Sequence, residues 1–337
     1  MSDAEREDGV SEDRVHQWVR DNYGLDGKLD RLPGDCDLNY KLSTNDGEIF
    51  VCKLTHDSCD RELLSAQNEV MDLVKQSDLA AIPYVLISSQ GESLVSLNDD
   101  GGHAYVGRVL SFVPGTVLAK CQPYSAELLR NLGRTVGRLN LALTGYDHPA
   151  FHYKFDWDLA HAMEPVERYR GLITDPQLRG QIDQVYQNFK TIVVPRFGQL
   201  KTSVIHNDAN DYNILAEGNE VTGLIDFGDM VHTHTICDLA IAMGYTSLES
   251  DDVLQVILEM AIGYNESMPL GDDELTVLFP MMCMRLAVSA CMGQHQIRQR
   301  PDDPYLAISQ EPIRRTLPKL LALDANEVHQ VLKKSLS

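Results

Sequence analysis

Val204-Ile205-His206-Asn207-Asp208-Ala209-Asn210-Asp211-Tyr212-Asn213-Ile214-Leu215, followed by Val221-Thr222-Gly223-Leu224-Ile225-Asp226-Phe227-Gly228-Asp229, is the stretch on which the reading of this chain turns. Each half is an apolar strand pattern running into an acidic residue, and Glu217-Gly218-Asn219 supplies the turn of a hairpin between them. Two neighbouring strands are thereby expected to deliver Asp208 and Asp226 to one end of a small sheet. Asn213 follows Asp208 by five residues and Asp226 follows it by eighteen. Phosphoryl transfer asks for such a set. One carboxylate orients the attacking hydroxyl and takes its proton, another holds the divalent metal that neutralises the phosphate oxygens, and a loop oxygen completes the metal shell. Asp208 is read as the base, Asp226 and Asn213 as ligands of Mg²⁺, and His206 as a residue that orients the loop by hydrogen bonding. The bland alternative is a pair of Asx turns closing two strands.

Working outward towards the N-terminus, Ser11 is expected to cap an amphipathic helix that carries Val15, Trp18 and Val19 and ends near Gly24. Residues 1–10 read as disordered. From Leu29 to Thr55 the pattern is strand-like, with Asn45-Asp46-Gly47 as a hairpin turn and Ile49–Leu54 as the return strand. A helix over 61–75 follows, with Leu63, Ala66, Val70, Leu73 and Val74 on one face, then strands around Tyr84–Ile87, Ser93–Leu97 and Ala104–Phe112. Lys53 lies on the third strand, from which an ammonium can reach nucleotide phosphates. Its carboxylate partner is expected on the helix, and Glu62 and Glu69, seven residues apart, both qualify.

Pro114-Gly115 breaks this pattern, and helical periodicity dominates beyond it: a long helix after Ser125, a second over about 177–194, and others near 236–247, 251–265 and 273–296. The chain therefore reads as a small β-rich lobe over 1–113 and a large helical lobe over 114–337. The formal charge of −21 argues against a nucleic-acid partner, which needs concentrated Lys and Arg, and suits a cationic small molecule. Seven cysteines with no C-x-x-C pair argue for reduced thiols. No apolar run of about eighteen residues stands out as a membrane span. The polar, acidic N-terminal residues are unlike a signal or transit peptide, so a cytoplasmic location is expected.

These residues resemble a family. His206-x-Asp208-x₄-Asn213, Asp226-Phe227-Gly228 and Asp238-Leu239-Ala240 are similar to the catalytic loop, metal-binding strand end and helix start of the aminoglycoside phosphotransferase and choline kinase superfamily. Within it the chain looks most like the hydroxylysine kinases and the kinase-like domain fused to class III aminotransferases. The resemblance implies an α+β, protein-kinase-like two-lobe fold and a small-molecule kinase that moves the terminal phosphate of ATP or GTP to a hydroxyl, with GTP as the hydroxylysine kinase donor. It also implies a glycine-poor phosphate loop over Leu32–Tyr40 that uses a polar residue near Asn39. It puts Gln67 where other members carry the glutamate that pairs with Lys53.

For the acceptor, Asp156, Trp157 and Asp158 form an acidic-aromatic cluster, and Asp211 and Asp229 flank the catalytic residues. Together they suit an ammonium group, with helix capping as the other reading of Asp158. Arg285, alone in an apolar helix, needs either a substrate carboxylate or an internal ion partner. His232 and His234 read as loop residues after Asp226, and Asp238 as a cap that braces the catalytic loop. The expected acceptor is a cationic amino-alcohol or hydroxy amino acid. A catalytically silent nucleotide-binding fold and an aminoglycoside or choline kinase are the rival readings. Oligomeric state is not legible here.

Overall fold

The computed structural model describes residues 10–34, 37–77, 79–99 and 101–336. The chain forms two compact units, Met1–Gln76 with Ala81–Pro114, and Ser77–Ala80 with Gly115–Ser337.

The first unit opens with α1 (Glu12–Tyr23). Its cap is Ser11, whose hydroxyl accepts from the Arg14 N–H, and it stops at Gly24, where φ of 66° asks for a residue without Cβ. Strands β1 (Gly27–Leu32), β2 (Leu38–Thr44) and β3 (Ile49–His56) follow, then α2 (Arg61–Val74), β4 (Val95–Asn98) and β5 (Ala104–Ser111). They form one antiparallel sheet in the order β1-β2-β3-β5-β4. Strand alternation sorts the side chains. Leu42, Phe50, Cys52, Leu54 and Val109 join Val15, Trp18 and Val19 of α1 in one buried cluster. The opposite face carries Asn39, Lys53 and Arg108, aligned across β2, β3 and β5 by strand register. Gly107 lets Trp18 sit against the sheet, because a Cβ there would lie 2.4 Å from the indole ring.

Some expectations change. Residues 1–9, and Asp35 and Cys36 of the phosphate loop, lie outside the described residues. Val10, read as disordered, is instead buried, and its carbonyl accepts from the Tyr40 hydroxyl. Tyr84–Ile87 is not a strand; only Val85 bridges, to Leu110. Leu73, placed on the apolar face of α2, is exposed.

The second unit holds β6 (Thr116–Val117), α3 (Ala126–Ala142), α4 (Met163–Tyr169), α5 (Pro176–Asn188), β7 (Thr202–Ile205), β8 (Ile214–Glu217), β9 (Glu220–Leu224) and β10 (Val231–His234). Helices α6 (Ile236–Thr246), α7 (Val253–Ser267), α8 (Asp272–Gln299), α9 (Gln310–Leu321) and α10 (Ala325–Leu336) complete it. The hairpin read from the sequence is β8–β9, turning at Gly218 with φ of 60°. The two acidic strand ends, however, are not on neighbouring strands. β7 pairs with β10, while β9 pairs with β8, which in turn pairs with β6. His232 and His234, read as loop residues, are on β10.

Two features set the helical packing. α3 and α7 meet at glycines: a Cβ at Gly133 would lie 1.9 Å from the Met260 carbonyl oxygen, and one at Gly263 would lie 1.9 Å from that of Arg130. α8 is long and apolar enough, by length and composition, to cross a membrane, contrary to the expectation from the sequence. Its apolar window is 94% buried within the protein, so it is a core helix here. The described cysteines are all free.

Candidate active site

The residues read as functional fall in both units.

In the second unit the loop after β7 and the turn after β9 each pass through an unusual backbone position. Asn207 has φ of 65° and Asp226, after β9, has φ of 62°; both are left-handed conformations that non-glycine residues seldom adopt. What holds the first is Asp238 of α6, which is fully buried. Its Oδ2 accepts from the His206 N–H at 3.1 Å and its Oδ1 from the Asn207 N–H at 2.7 Å. Asn140 of α3 donates to the same carboxylate at 2.7 Å and accepts from the Tyr264 hydroxyl of α7 at 3.0 Å. Burial pushes the Asp238 carboxyl up, and these donors act against that push.

His206 is also fully buried. Its Nδ1 accepts from the Asp208 N–H, so the ring proton belongs on Nε2, which faces the Ile225 carbonyl at 3.1 Å. With both nitrogens engaged and its ring edge-on to Phe227, His206 links the loop after β7 to the segment after β9 that bears Asp226.

The Asp208 carboxylate is surrounded by donors. Asn213 Nδ2 reaches Oδ2 at 2.7 Å, Asn210 Nδ2 reaches both oxygens at 3.0 Å, and an Arg285 guanidinium nitrogen reaches Oδ1 at 3.2 Å. Burial pushes the carboxyl up, while the Arg285 charge pulls it down. Asn213 also donates to the Asp208 carbonyl, and its own carbonyl accepts from Ile225 N–H, one residue before Asp226. With Nδ2 committed to Asp208, Oδ1 is the donor atom Asn213 has left. An amide oxygen beside a carboxylate is the hard-oxygen chemistry that suits Mg²⁺.

Arg285 lies fully buried on α8. It donates to the Trp157 carbonyl at 2.7 Å, and its guanidinium sits 4.9 Å from the Trp157 ring centre and 5.6 Å from that of Tyr245. An internal ion partner is present, and it is Asp208 itself.

The acidic-aromatic cluster has partners within the protein. Trp157 stacks on the protein's own cation. Asp158 is buried, caps the turn beginning at Leu159 and accepts from the Thr233 hydroxyl of β10. Asp156 pairs with Arg168. Of the acidic residues proposed for the acceptor, Asp211 stays close to the chemistry: it is on the catalytic loop, and burial pushes its carboxyl up to about 7, with the Asp208 charge adding to the effect. Asp229 is part-buried, and its charge acts on Arg285.

In the first unit Lys53 is buried, with its ammonium 3.4 Å from the carboxylate of Asp37, which also accepts from the Thr55 hydroxyl. Glu62 and Glu69, the two helix carboxylates read as candidate partners of Lys53, are both exposed on α2. The buried polar residues of α2 are Gln67 and Asn68, and both accept from Arg108, at 2.9 and 2.7 Å. Arg108 was missed, although a lone cation in Val106-Gly107-Arg108-Val109 carries the same signal that marked Arg285. Asn39 donates its amide nitrogen to the Pro33 carbonyl, beside Gly34, where a Cβ would lie 2.4 Å from that nitrogen. Replacing Lys53 with alanine is expected to lower kcat/KM by roughly 10²-fold, mostly through nucleotide KM. Unchanged nucleotide KM in a folded variant would make Lys53 a structural lysine.

Lys53 thus sits on the third strand of the first unit's sheet, and within the second unit Asp208 and Asp226 lie on either side of the β8–β9 hairpin. The chain belongs to the phosphotransferase enzyme family, whose profile matches residues 28–271. It is 27% identical to hydroxylysine kinase from Mus musculus, covering 90% of this chain and 87% of that one, and 26% identical to the Danio rerio hydroxylysine kinase, covering 98% and 97%. Among solved structures it resembles the amicoumacin kinase hAmiN in complex with AMP-PNP, Ca²⁺ and Ami, with a TM-score of 0.72 at 15% identity over 95% of this chain and 97% of that one. The protein is thus a small-molecule kinase with an alcohol group as acceptor, and its family works with an ATP-type donor and a divalent metal.

Proposed function

We propose that the protein is a Mg²⁺-dependent kinase that moves the terminal phosphate of ATP or GTP to the hydroxyl of a cationic, hydroxylysine-like amino acid or amino-alcohol. The observation that carries the reaction is the Asp208 carboxylate, held by Asn210, Asn213 and Arg285 with room for an acceptor hydroxyl beside it: its side chain keeps 22% of its exposure. In this reading Asp208 orients the hydroxyl and takes its proton as the oxygen attacks phosphorus. Arg285 and the two amides hold the carboxylate ionised and fixed. Asn213 Oδ1 and Asp226 would hold Mg²⁺, which when bound neutralises the phosphate oxygens. Lys53 supplies the cation for the nucleotide phosphates in its own unit. His206 and Asp238 fix the loop.

For the acceptor, support comes from the full-length similarity to hydroxylysine kinases, and from Asp211, a buried acid on the catalytic loop suited to an ammonium group. A turnover screen with Mg²⁺ and either ATP or GTP, over hydroxylysine, homoserine, ethanolamine, choline and aminoglycosides, tests the reading. Hydroxylysine is expected to give the highest kcat/KM. Phosphorylation of neutral or anionic alcohols alone would overturn the cationic acceptor.

A further inference from the structure

We propose a second metal site, apart from the catalytic residues, formed by Asp147, His152 and His232 and selective for Zn²⁺-class ions. One ligand atom from each of the three lies within 4.8 Å of the others. His152 Nε2 is 2.7 Å from Asp147 Oδ1, and the two imidazoles stack with centres 4.3 Å apart and planes 22° apart. Bonds of about 2.0–2.2 Å around a tetrahedral ion hold their donors roughly 3.3–3.5 Å apart, so closure asks for side-chain shifts of about 1.5 Å at most. Two of the three residues are exposed and can turn by that much.

The backbone beneath the ligands is anchored on both sides. His152 follows the turn Pro149–Phe151, which His148 caps and which Phe151 fastens by full burial. The Tyr153 hydroxyl donates to the Met230 carbonyl, joining this segment to the start of β10, and His232 is held on β10 opposite Val204 of β7. Two imidazoles and one carboxylate, with coordination positions open to water, favour Zn²⁺, Ni²⁺ or Cu²⁺ over Mg²⁺ and Ca²⁺, which take oxygen shells. The net charge of −21 adds a general attraction for cations. A bound ion takes the place of the proton between Asp147 and His152 and staples the 147–152 segment to the strand that leaves the Asp226–Asp229 turn.

The test is calorimetric titration of the chelator-stripped full chain with Zn²⁺ at about pH 7.5, where histidine is largely neutral, with thermal melting alongside. Wild type is expected to take up one ion that is lost or weakened at least about tenfold in both His152→Ala and His232→Ala. The rise in melting temperature on adding Zn²⁺ should disappear in the double variant, and Mg²⁺ should give neither response. Far-UV circular dichroism without metal checks that the variants are folded, and His152→Gln replaces any alanine variant that is not. Uptake by the double variant at wild-type affinity would overturn the proposal. So would a wild-type chain that takes up no Zn²⁺ at millimolar concentration.

Discussion

Replacing Asp208 with asparagine is expected to cut turnover by roughly 10²–10⁴-fold, the scale for losing a positioned general base, with nucleotide affinity near the wild-type value. The carboxylate is the one acceptor shared by Asn210, Asn213 and Arg285. Asparagine keeps the shape and one oxygen, but it turns a donor towards a neighbouring donor and cannot take a proton from an alcohol. Some stability should be lost with it, on the order of 1–3 kcal/mol, and that cost is separable from the rate. Measuring kcat, nucleotide affinity and melting temperature on the same variant distinguishes the readings. A silent nucleotide-binding fold has no acceptor-dependent turnover to lose. If Asp208 only closed an Asx turn, the variant would melt early and keep its specific activity, which would sink the assignment as base.

Asp238→Ala should be the most destabilising polar substitution near the site. The change strips the acceptor from the His206 and Asn207 N–H groups and from Asn140, all buried. Two orphaned backbone donors and an amide in a dry interior are worth roughly 3–5 kcal/mol together. The left-handed Asn207 would also lose what holds it, so Asp208 should drift and kcat should fall even in the fraction that remains folded. Urea unfolding and turnover check both effects. Should the alanine variant fail to express, Asn140→Ala removes only the outer donor and should show the same two effects at smaller size. Wild-type stability in either variant would mean the brace is dispensable.

How much of this was legible beforehand depends on how far apart the partners are in sequence. The loop from His206 to Asn213 and the turn at Asp226 are local patterns, and their spacing was enough to read the chemistry. The capped α1, the Asn45-Asp46-Gly47 hairpin and the β8–β9 hairpin were legible for the same reason. The strand pairing was not: β7 takes β10, which lies beyond the motif, instead of the strand the motif supplies. The internal partners of the acceptor cluster were hidden for the same reason. Asp158 looked like a candidate ligand or a cap, and its second partner, Thr233, is 75 residues away. Trp157 looked free for a substrate cation, but Arg285, 128 residues on, already occupies it. Glu62 and Glu69 share a helix face, as their spacing requires, and that face is the wet one.

The glycine contact between α3 and α7 bears on how this protein can drift over generations. At Gly133 and Gly263 the space a side chain would need is taken by backbone carbonyl oxygens, which cannot swing aside as a flexible side chain can. Any first substitution must push two helices apart, and those helices carry Asn140 and Tyr264, the outer links of the chain of contacts that ends on the backbone of His206 and Asn207. At Gly171, Gly180 and Gly198, by contrast, an added Cβ meets nothing within 4 Å. In a library of random single substitutions the same residue type should therefore split into two populations: outer-turn glycines that accept change freely, and a buried pair where each exchange is counter-selected although neither residue touches a reacting atom.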